Sequence, residues 1–252
     1  MKYKNISRAT FLARPNRFIA EVDIDGHKET VHVKNTGRCK ELLIPGCEVW
    51  LTAPGNSNRK TKYDLVAVRK DTGVLFNIDS NAPNMVMKEW LVNQGFSRIV
   101  PEYTYGNSRI DFYMESLPMK NSLREWAGLR PETSSGQYME RDTCGVVPQK
   151  FLMEVKGCTL EKDGIGYFPD APTERGVKHI RELIKAKREG YEAMLAFVIQ
   201  MDGVSHVLPN TDTHPEFGVA LNEAIAAGVK VLCFTCHAEP DELVISGVTV
   251  SK

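Results

Sequence analysis

The run Phe151-Leu152-Met153-Glu154-Val155-Lys156-Gly157 ends by placing a carboxylate and an ammonium two residues apart. In a β-strand, side chains alternate with a period of two, so Glu154 and Lys156 leave one face while Met153 and Val155 leave the other. Upstream, Tyr105-Gly106-Asn107-Ser108-Arg109-Ile110-Asp111-Phe112-Tyr113 reads as a turn entering a second strand, with Asp111 among apolar neighbours and in need of a partner. If the two strands pair, Asp111 and Glu154 converge on one hard cation such as Mg2+, which takes oxygen ligands and keeps waters for chemistry. Lys156 then stands over a reacting phosphate or the attacking water. A Glu-Val-Lys triplet is also an ordinary solvated strand end, so the surrounding elements have to decide between the two readings.

Those elements sit in a chain of 252 residues, long enough for two domains with real cores. Lys+Arg and Asp+Glu are both 32, so no global basic excess announces nucleic acid and no acidic excess announces disorder. The local distribution differs: up to Lys70, basic residues outnumber acidic ones roughly two to one. Arg38, Arg59, Lys60 and Lys62 belong to that stretch, which could face a polyanion. No segment approaches the ~20 apolar residues needed to span a bilayer, and the polar start lacks the apolar core of a signal peptide. A cytoplasmic protein with no membrane partner is expected. Its six cysteines are expected to be reduced thiols. Cys233-Phe234-Thr235-Cys236-His237 matches a haem-attachment pattern, but that chemistry belongs to exported proteins, so neither haem nor zinc is read there.

Residues 1–80 read as all-β. Asp25-Gly26 between two alternating runs is a hairpin signal, and further strands fit near Cys47–Leu51, Tyr63–Val68 and Gly73–Asn77. Five such strands suit a small closed barrel of the OB type, a fold that binds nucleic acid with a basic groove and stacking aromatics. Phe11, Phe18, Trp50, Tyr63 and Phe76 are the available rings, most of them expected in the core. Asn35-Thr36-Gly37-Arg38 is a loop suited to a phosphate, or an ordinary turn. The junction falls where Asn, Asp, Ser and Pro cluster, between Asn77 and Asn84.

Residues 81–252 alternate helices with apolar strands, which indicates a mixed α/β sheet centred on the Glu154 strand. A helix runs to Gly95 and carries Glu89, more readily a surface residue than a third metal ligand. A polar excursion occupies roughly 118–148. Thr173 is placed to cap a helix in which Val177, Ile180, Leu183 and Ile184 recur at helical spacing. On another side of that helix Lys178, Arg181, Lys185 and Arg188 form a basic stripe, a solvated face or a track for DNA backbone.

Asn35-Thr36-Gly37-Arg38-Cys39-Lys40-Glu41-Leu42-Leu43, Arg59-Lys60-Thr61 through Tyr63, Tyr105 to Arg109, Glu154 to Gly157 and Phe168-Pro169-Asp170-Ala171-Pro172-Thr173-Glu174-Arg175-Gly176 occur in this order over nearly the whole chain. Together they resemble the sugar fermentation stimulation protein A family, the Phe168–Gly176 block most specifically. The resemblance implies an OB-like barrel joined to a domain like the PD-(D/E)xK nucleases, in a protein associated with sequence-independent DNA binding and, by name, with sugar (maltose) metabolism. Asp111 then matches the first acidic position, Glu154 the second and Lys156 the motif lysine. The segment 121–147 is longer than the family's usual connection.

Three functions follow as expectations. The first is a DNA-binding protein whose contacts include Arg38, Arg59, Lys60, Lys62, Lys178, Arg181 and Lys185, with a Mg2+ site at Asp111 and Glu154. The second is a Mg2+-dependent phosphodiesterase acting on DNA through Asp111, Glu154 and Lys156, with the Val155 carbonyl as a further ligand. The third is a regulatory partner of other proteins that keeps the site for structure.

Overall fold

In the barrel, alternation decides which residues point inward, and chain closure decides which strands count. The computed structural model describes residues 1–35, 37–55, 59–116 and 147–250. Strands β1 (Ile6–Asn16), β2 (Ile19–Ile24), β3 (His27–Val33), β4 (Glu48–Thr52), β5 (Asp64–Arg69) and β6 (Leu75–Asn77) form one sheet in the order β3-β2-β1-β4-β5-β6. Parallel pairing of His32 with Asp64 and Val33 with Leu65 closes β3 onto β5, giving a five-stranded OB barrel with β6 outside the ring. The Asp25-Gly26 hairpin turns as expected, with positive φ at both residues (52° and 83°). The fifth barrel strand is a correction: it is β1, which the sequence reading left out, whereas the Gly73–Asn77 run became β6. Only Ala9 and Phe11 of β1 are buried, so its inward alternation is too brief to stand out from its charged residues.

The second unit begins with α1 (Ala82–Val92) and β7 (Arg98–Tyr105), and continues through β8 (Ser108–Ser116) and β9 (Gln149–Cys158). Next come β10 (Leu160–Lys162), β11 (Ile165–Phe168), α2 (Glu174–Arg188) and β12 (Glu192–Ile199). Finally β13 (Val207–Pro209), α3 (Pro215–Ala226), β14 (Lys230–Glu239) and β15 (Glu242–Val250) complete it. The main sheet runs β15-β14-β12-β9-β8-β7, with β9, β12 and β14 mutually parallel at its centre and antiparallel strands outside. Of the excursion expected at roughly 118–148, residues up to 146 lie outside the described residues, as does its length relative to the family, and Val147 and Pro148 lead directly into β9.

Alternation along β9 divides the core. Met153 and Val155 pack with Val86, Met87 and Leu91 of α1, while Leu152 and Cys158 pack with Val177, Ile180 and Leu183 of α2. The Thr173 hydroxyl caps α2 by accepting the Gly176 N–H at 3.0 Å, and Gly190 beyond its end takes a φ of 91°, as the sequence led one to expect. Barrel residues such as Phe76 and Ile78 belong to the same apolar cluster as Leu195 and Phe197, so the two units share one core.

The junction is not a solvated linker. Asn77 and Asp79 are buried, and Gln200 at the end of β12 donates to the Asn77 carbonyl at 3.1 Å and to that of Asp79 at 3.2 Å. At the other end of the barrel sequence, Lys2 bridges to Glu242 and the Tyr3 N–H donates to Asp241 at 2.7 Å, so the first residues lie on the second unit. Among the described residues, no helix is long and apolar enough to cross a membrane.

Candidate functional site

β8 and β9 pair antiparallel as far as Phe112 and Met153, and one step further along the same register sets Asp111 opposite Glu154. The two acids expected to converge therefore do so from adjacent strands. The Val155 N–H donates to Asp111 Oδ2 at 2.7 Å, and Asn84 Nδ2 donates to Oδ1 at 2.8 Å from the first turn of α1. Lys156 leaves the same face as Glu154 and its Nζ donates to Glu154 Oε1 at 2.6 Å.

The electrostatics of the two acids differ. Burial and then the neighbouring Glu154 carboxylate push the Asp111 carboxyl above its ordinary range. Burial also opposes ionisation of Glu154, but the His179 hydrogen bond and the Lys156 ammonium outweigh it and hold that carboxyl below its ordinary range. Glu154 Oε1 thus receives both His179 Nδ1 and Lys156, while Oε2 is buried with no partner among the described residues. Arg14 Nε and Glu182 Oε2 share that condition; Glu154 Oε2 is set apart by lying across from the half-buried Asp111, whose own oxygens are taken by Val155 and Asn84. An orphaned carboxylate oxygen across from another carboxylate fits a hard divalent cation.

His179 and Asn84 were missed by sequence reasoning. His179 lies in the capped helix α2, only 4 % exposed, and the 3.6-residue period stacks it one turn before Leu183, on the face that brings its Nδ1 to Glu154. A histidine inside an apolar helical stripe was the available signal. Arg175, one turn earlier, donates to His179 Nε2 at 3.4 Å and so lies at the rim. Glu89 is 60 % exposed and pairs with the amino group of Met1, as a surface residue.

The basic residues separate into three places. Lys178, Arg181 and Lys185 are exposed and line a groove of about 760 Å³ between α2 and the β7–β8 turn, together with Arg109, Arg175 and His179. Arg38 lines a second hollow of about 480 Å³ on the barrel with Arg17 and Lys40. Arg59 is engaged elsewhere: its guanidinium makes a two-pronged pair with buried Asp64. Lys60 is exposed, and Lys62 lies 4.9 Å over the Tyr63 ring. Of the barrel aromatics, Phe11, Trp50 and Phe76 are core, whereas Phe18 is 50 % exposed with the Arg17 guanidinium 5.6 Å from its ring centre.

A second cluster, Glu174, His214 and Glu216, has ligand atoms within 4.8 Å of one another. His214 Nδ1 accepts the Thr173 N–H at 3.2 Å, so the neutral ring carries its proton on Nε2, toward Glu174, and offers a cation no lone pair. Arg181 already neutralises Glu216 at 2.8 Å. The cysteines of the haem-like pattern lie buried in β14, and burial pushes Cys236 up to about 12. That suits inert thiols.

Two family models match the chain: "SfsA N-terminal OB domain" over residues 12–78 and "Sugar fermentation stimulation protein RE domain" over residues 81–242. A sugar fermentation stimulation protein homolog of Desulfitobacterium hafniense is 47% identical over 246 residues, covering 96% of this chain and 94% of that protein. The corresponding homolog of Clostridium beijerinckii is 44% identical over 247 residues, covering 96% of each. A solved structure described as "The structure of Pyrococcus Furiosus SfsA in complex with Ca2+" superposes with a TM-score of 0.76 at 29% identity, covering 98% of this chain and 96% of that one. With matches of this extent on both sides of the junction, the chain belongs to the sugar fermentation stimulation protein family, an OB barrel followed by a mixed α/β domain.

Proposed function

We propose that the protein binds DNA without regard to sequence and hydrolyses phosphodiesters at a Mg2+ site formed by Asp111 and Glu154. The observation that carries this reading is the buried, unpartnered Oε2 of Glu154 beside Asp111. The neighbouring Pyrococcus furiosus protein is described in complex with Ca2+, another hard cation with oxygen ligands, which supports the choice of cation class. When bound, such a cation polarises a phosphoryl oxygen and lowers the pKa of a coordinated water.

The chain's own groups do the rest. Asn84 and the Val155 N–H fix both oxygens of Asp111, and His179 with Lys156 fixes Oε1 of Glu154, so both carboxylates are held before substrate arrives. Lys156 is half-tied to Glu154 and supplies the positive charge nearest a phosphate there. Lys178, Arg181 and Lys185 hold backbone phosphates along the groove, and Arg38, with Lys60 and Lys62 further along the barrel, contributes a second charged surface.

The test is cleavage of labelled single- and double-stranded DNA by purified protein with Mg2+, Mn2+ or chelator, beside Glu154→Ala. Cutting that needs metal and is lost in the variant is expected. Salt-sensitive binding with no cutting in any metal would retire hydrolysis and leave a DNA-binding protein; no binding at low salt would retire the reading whole.

A further inference from the structure

The parallel strands β9 and β12 do not end on open solvent. Beyond their carboxyl ends, at Thr159 and Gln200, the barrel loop at Asn35 and Gly37, the start of α1 and the loop from Tyr167 to Thr173 enclose a cleft of about 290 Å³. In open sheets of this kind, ligands gather outside the carboxyl ends of the parallel strands. Gly157 and Pro83 line the cleft and are the chain neighbours of Lys156 and of the Asp111 partner Asn84, which sets the cleft one residue from the candidate metal site, although the side chains of Asp111, Glu154 and Lys156 do not line it.

Its walls are fixed. The Gln200 side chain is held by the carbonyls of Asn77 and Asp79, and a Cβ at Gly157 would overlap Gln200 Oε1 and come within 2.6 Å of Pro83. Across the cleft, Asp170 Oδ2 accepts the Arg38 N–H at 3.1 Å, and a Cβ at Gly37 would overlap that carboxylate. Tyr167, Pro169 and Pro172 supply flat apolar surface, while Thr159, Gln200 and Asn35 supply polar edges. Gly37 and Ala171 line both this cleft and the adjoining hollow of Arg17, Arg38 and Lys40.

A rigid, small, half-apolar cleft with a basic surface on one side and a phosphodiester site on the other has the chemistry of a single nucleotide. Unstacked bases are bound by stacking on flat side chains and by polar contacts to their edges, and a base pair is too wide for this space. We propose that the cleft receives one unpaired nucleobase of the strand whose phosphodiester meets Asp111, Glu154 and Lys156. The inference rests on the DNA reading above and narrows it: the preferred substrate is a single strand or a frayed end.

The experiment is binding to oligonucleotides with chelator present, so that no cleavage intervenes, using 2-aminopurine at successive positions of a single strand. The expected result is a fluorescence change of about twofold or more at one position and roughly tenfold tighter binding of the single strand than of the blunt duplex. Ala171→Trp, at the rim, removes both effects and leaves duplex affinity within about twofold, and Ala171→Leu gives an intermediate result; melting curves check that each variant folds. Equal affinity for single strand and blunt duplex, or no fluorescent change at any position in the wild-type protein, would overturn the pocket while leaving the DNA reading standing. If neither form of DNA binds, both fall together.

Discussion

The barrel and the second domain each bury a carboxylate almost completely, and they differ in how fully its oxygens are met. Asp64 of the barrel is 1 % exposed and is met by two Arg59 nitrogens, by His32 at 3.1 Å and by Lys34 at 3.8 Å. Burial opposes its ionisation, but Arg59 and His32 overcome that, and its pKa lies below the ordinary range. Glu154 is buried as deeply, yet one of its oxygens has no partner among the described residues, and the acid beside it is pushed upward. Both carboxyls are held below their ordinary range, but a buried carboxylate with both oxygens met is a structural device, whereas one with an oxygen left open beside a second acid has a place for a cation from outside. The same contrast takes in Arg59, whose guanidinium pairs with both oxygens of Asp64.

The contrast breaks first at Asp64. Asp64→Ala would leave Arg59 and His32 without their buried partner, while Lys34 keeps Asp79 at 3.0 Å, and costs about 3–5 kcal/mol, enough to remove much of the stability of a domain. Urea unfolding at pH 7 checks this; a loss under about 1 kcal/mol would mean that the cluster is solvated. Lys156→Ala comes next. It should lower metal-dependent cleavage by about 100-fold or more while leaving DNA affinity within about threefold, since it touches the reacting region and not the backbone track. A proportional fall in affinity and cleavage would move Lys156 from chemistry to binding.

The strand parity that places Glu154 with Lys156, the cap at Thr173 and the hairpin at Asp25-Gly26 were legible because each depends on neighbours in sequence. Barrel closure between β3 and β5 was not, since it joins residues about thirty positions apart and no local pattern encodes it. The site was half legible for the same reason. Asp111 and Glu154 announce themselves as charges in apolar runs, but His179 and Asn84 reach them from two helices on opposite faces of the sheet. Asn77 and Asp79 mark the junction in the sequence, but that their hydrogen bonds are met inside a core shared by both units was not legible there.

Asp111 allows the contrast to be sharpened with a smaller effect of the opposite sign. Its folded pKa is raised, so its ionised form costs stability at neutral pH, and protonation relieves that cost as pH falls toward the ordinary value of 3.8. Asp64 behaves in reverse: its contribution is complete at neutral pH and is lost only as pH falls below 3.8, through its lowered pKa. Asp111→Asn should therefore raise stability at pH 7 in chelator by about 1 kcal/mol, provided Asn84 turns its amide to accept. The wild type should gain stability in millimolar Mg2+, and the same variant should not. Thermal melts with and without Mg2+ read both effects, and destabilisation in chelator would show that the site is compensated internally.

Glu161 lies between the two extremes and should give the smallest effect. Its side chain is 16 % exposed and takes Lys70 of the barrel at 2.6 Å, a further tie between the two units. The Lys70 hydrogen bond and then the Gly164 N–H hold its carboxyl below the ordinary 4.5, so this contribution is full above that value and disappears as pH falls through the lowered one. With solvent close by, the pair is worth only about 0.5–1 kcal/mol. Glu161→Gln should cost that much at pH 7, and the difference should shrink as pH falls below 4.5 and vanish below the lowered pKa of the folded state. A loss as large as that of Asp64→Ala would mean that burial is not what separates the two regimes, and that the number of cationic partners alone does not identify the site.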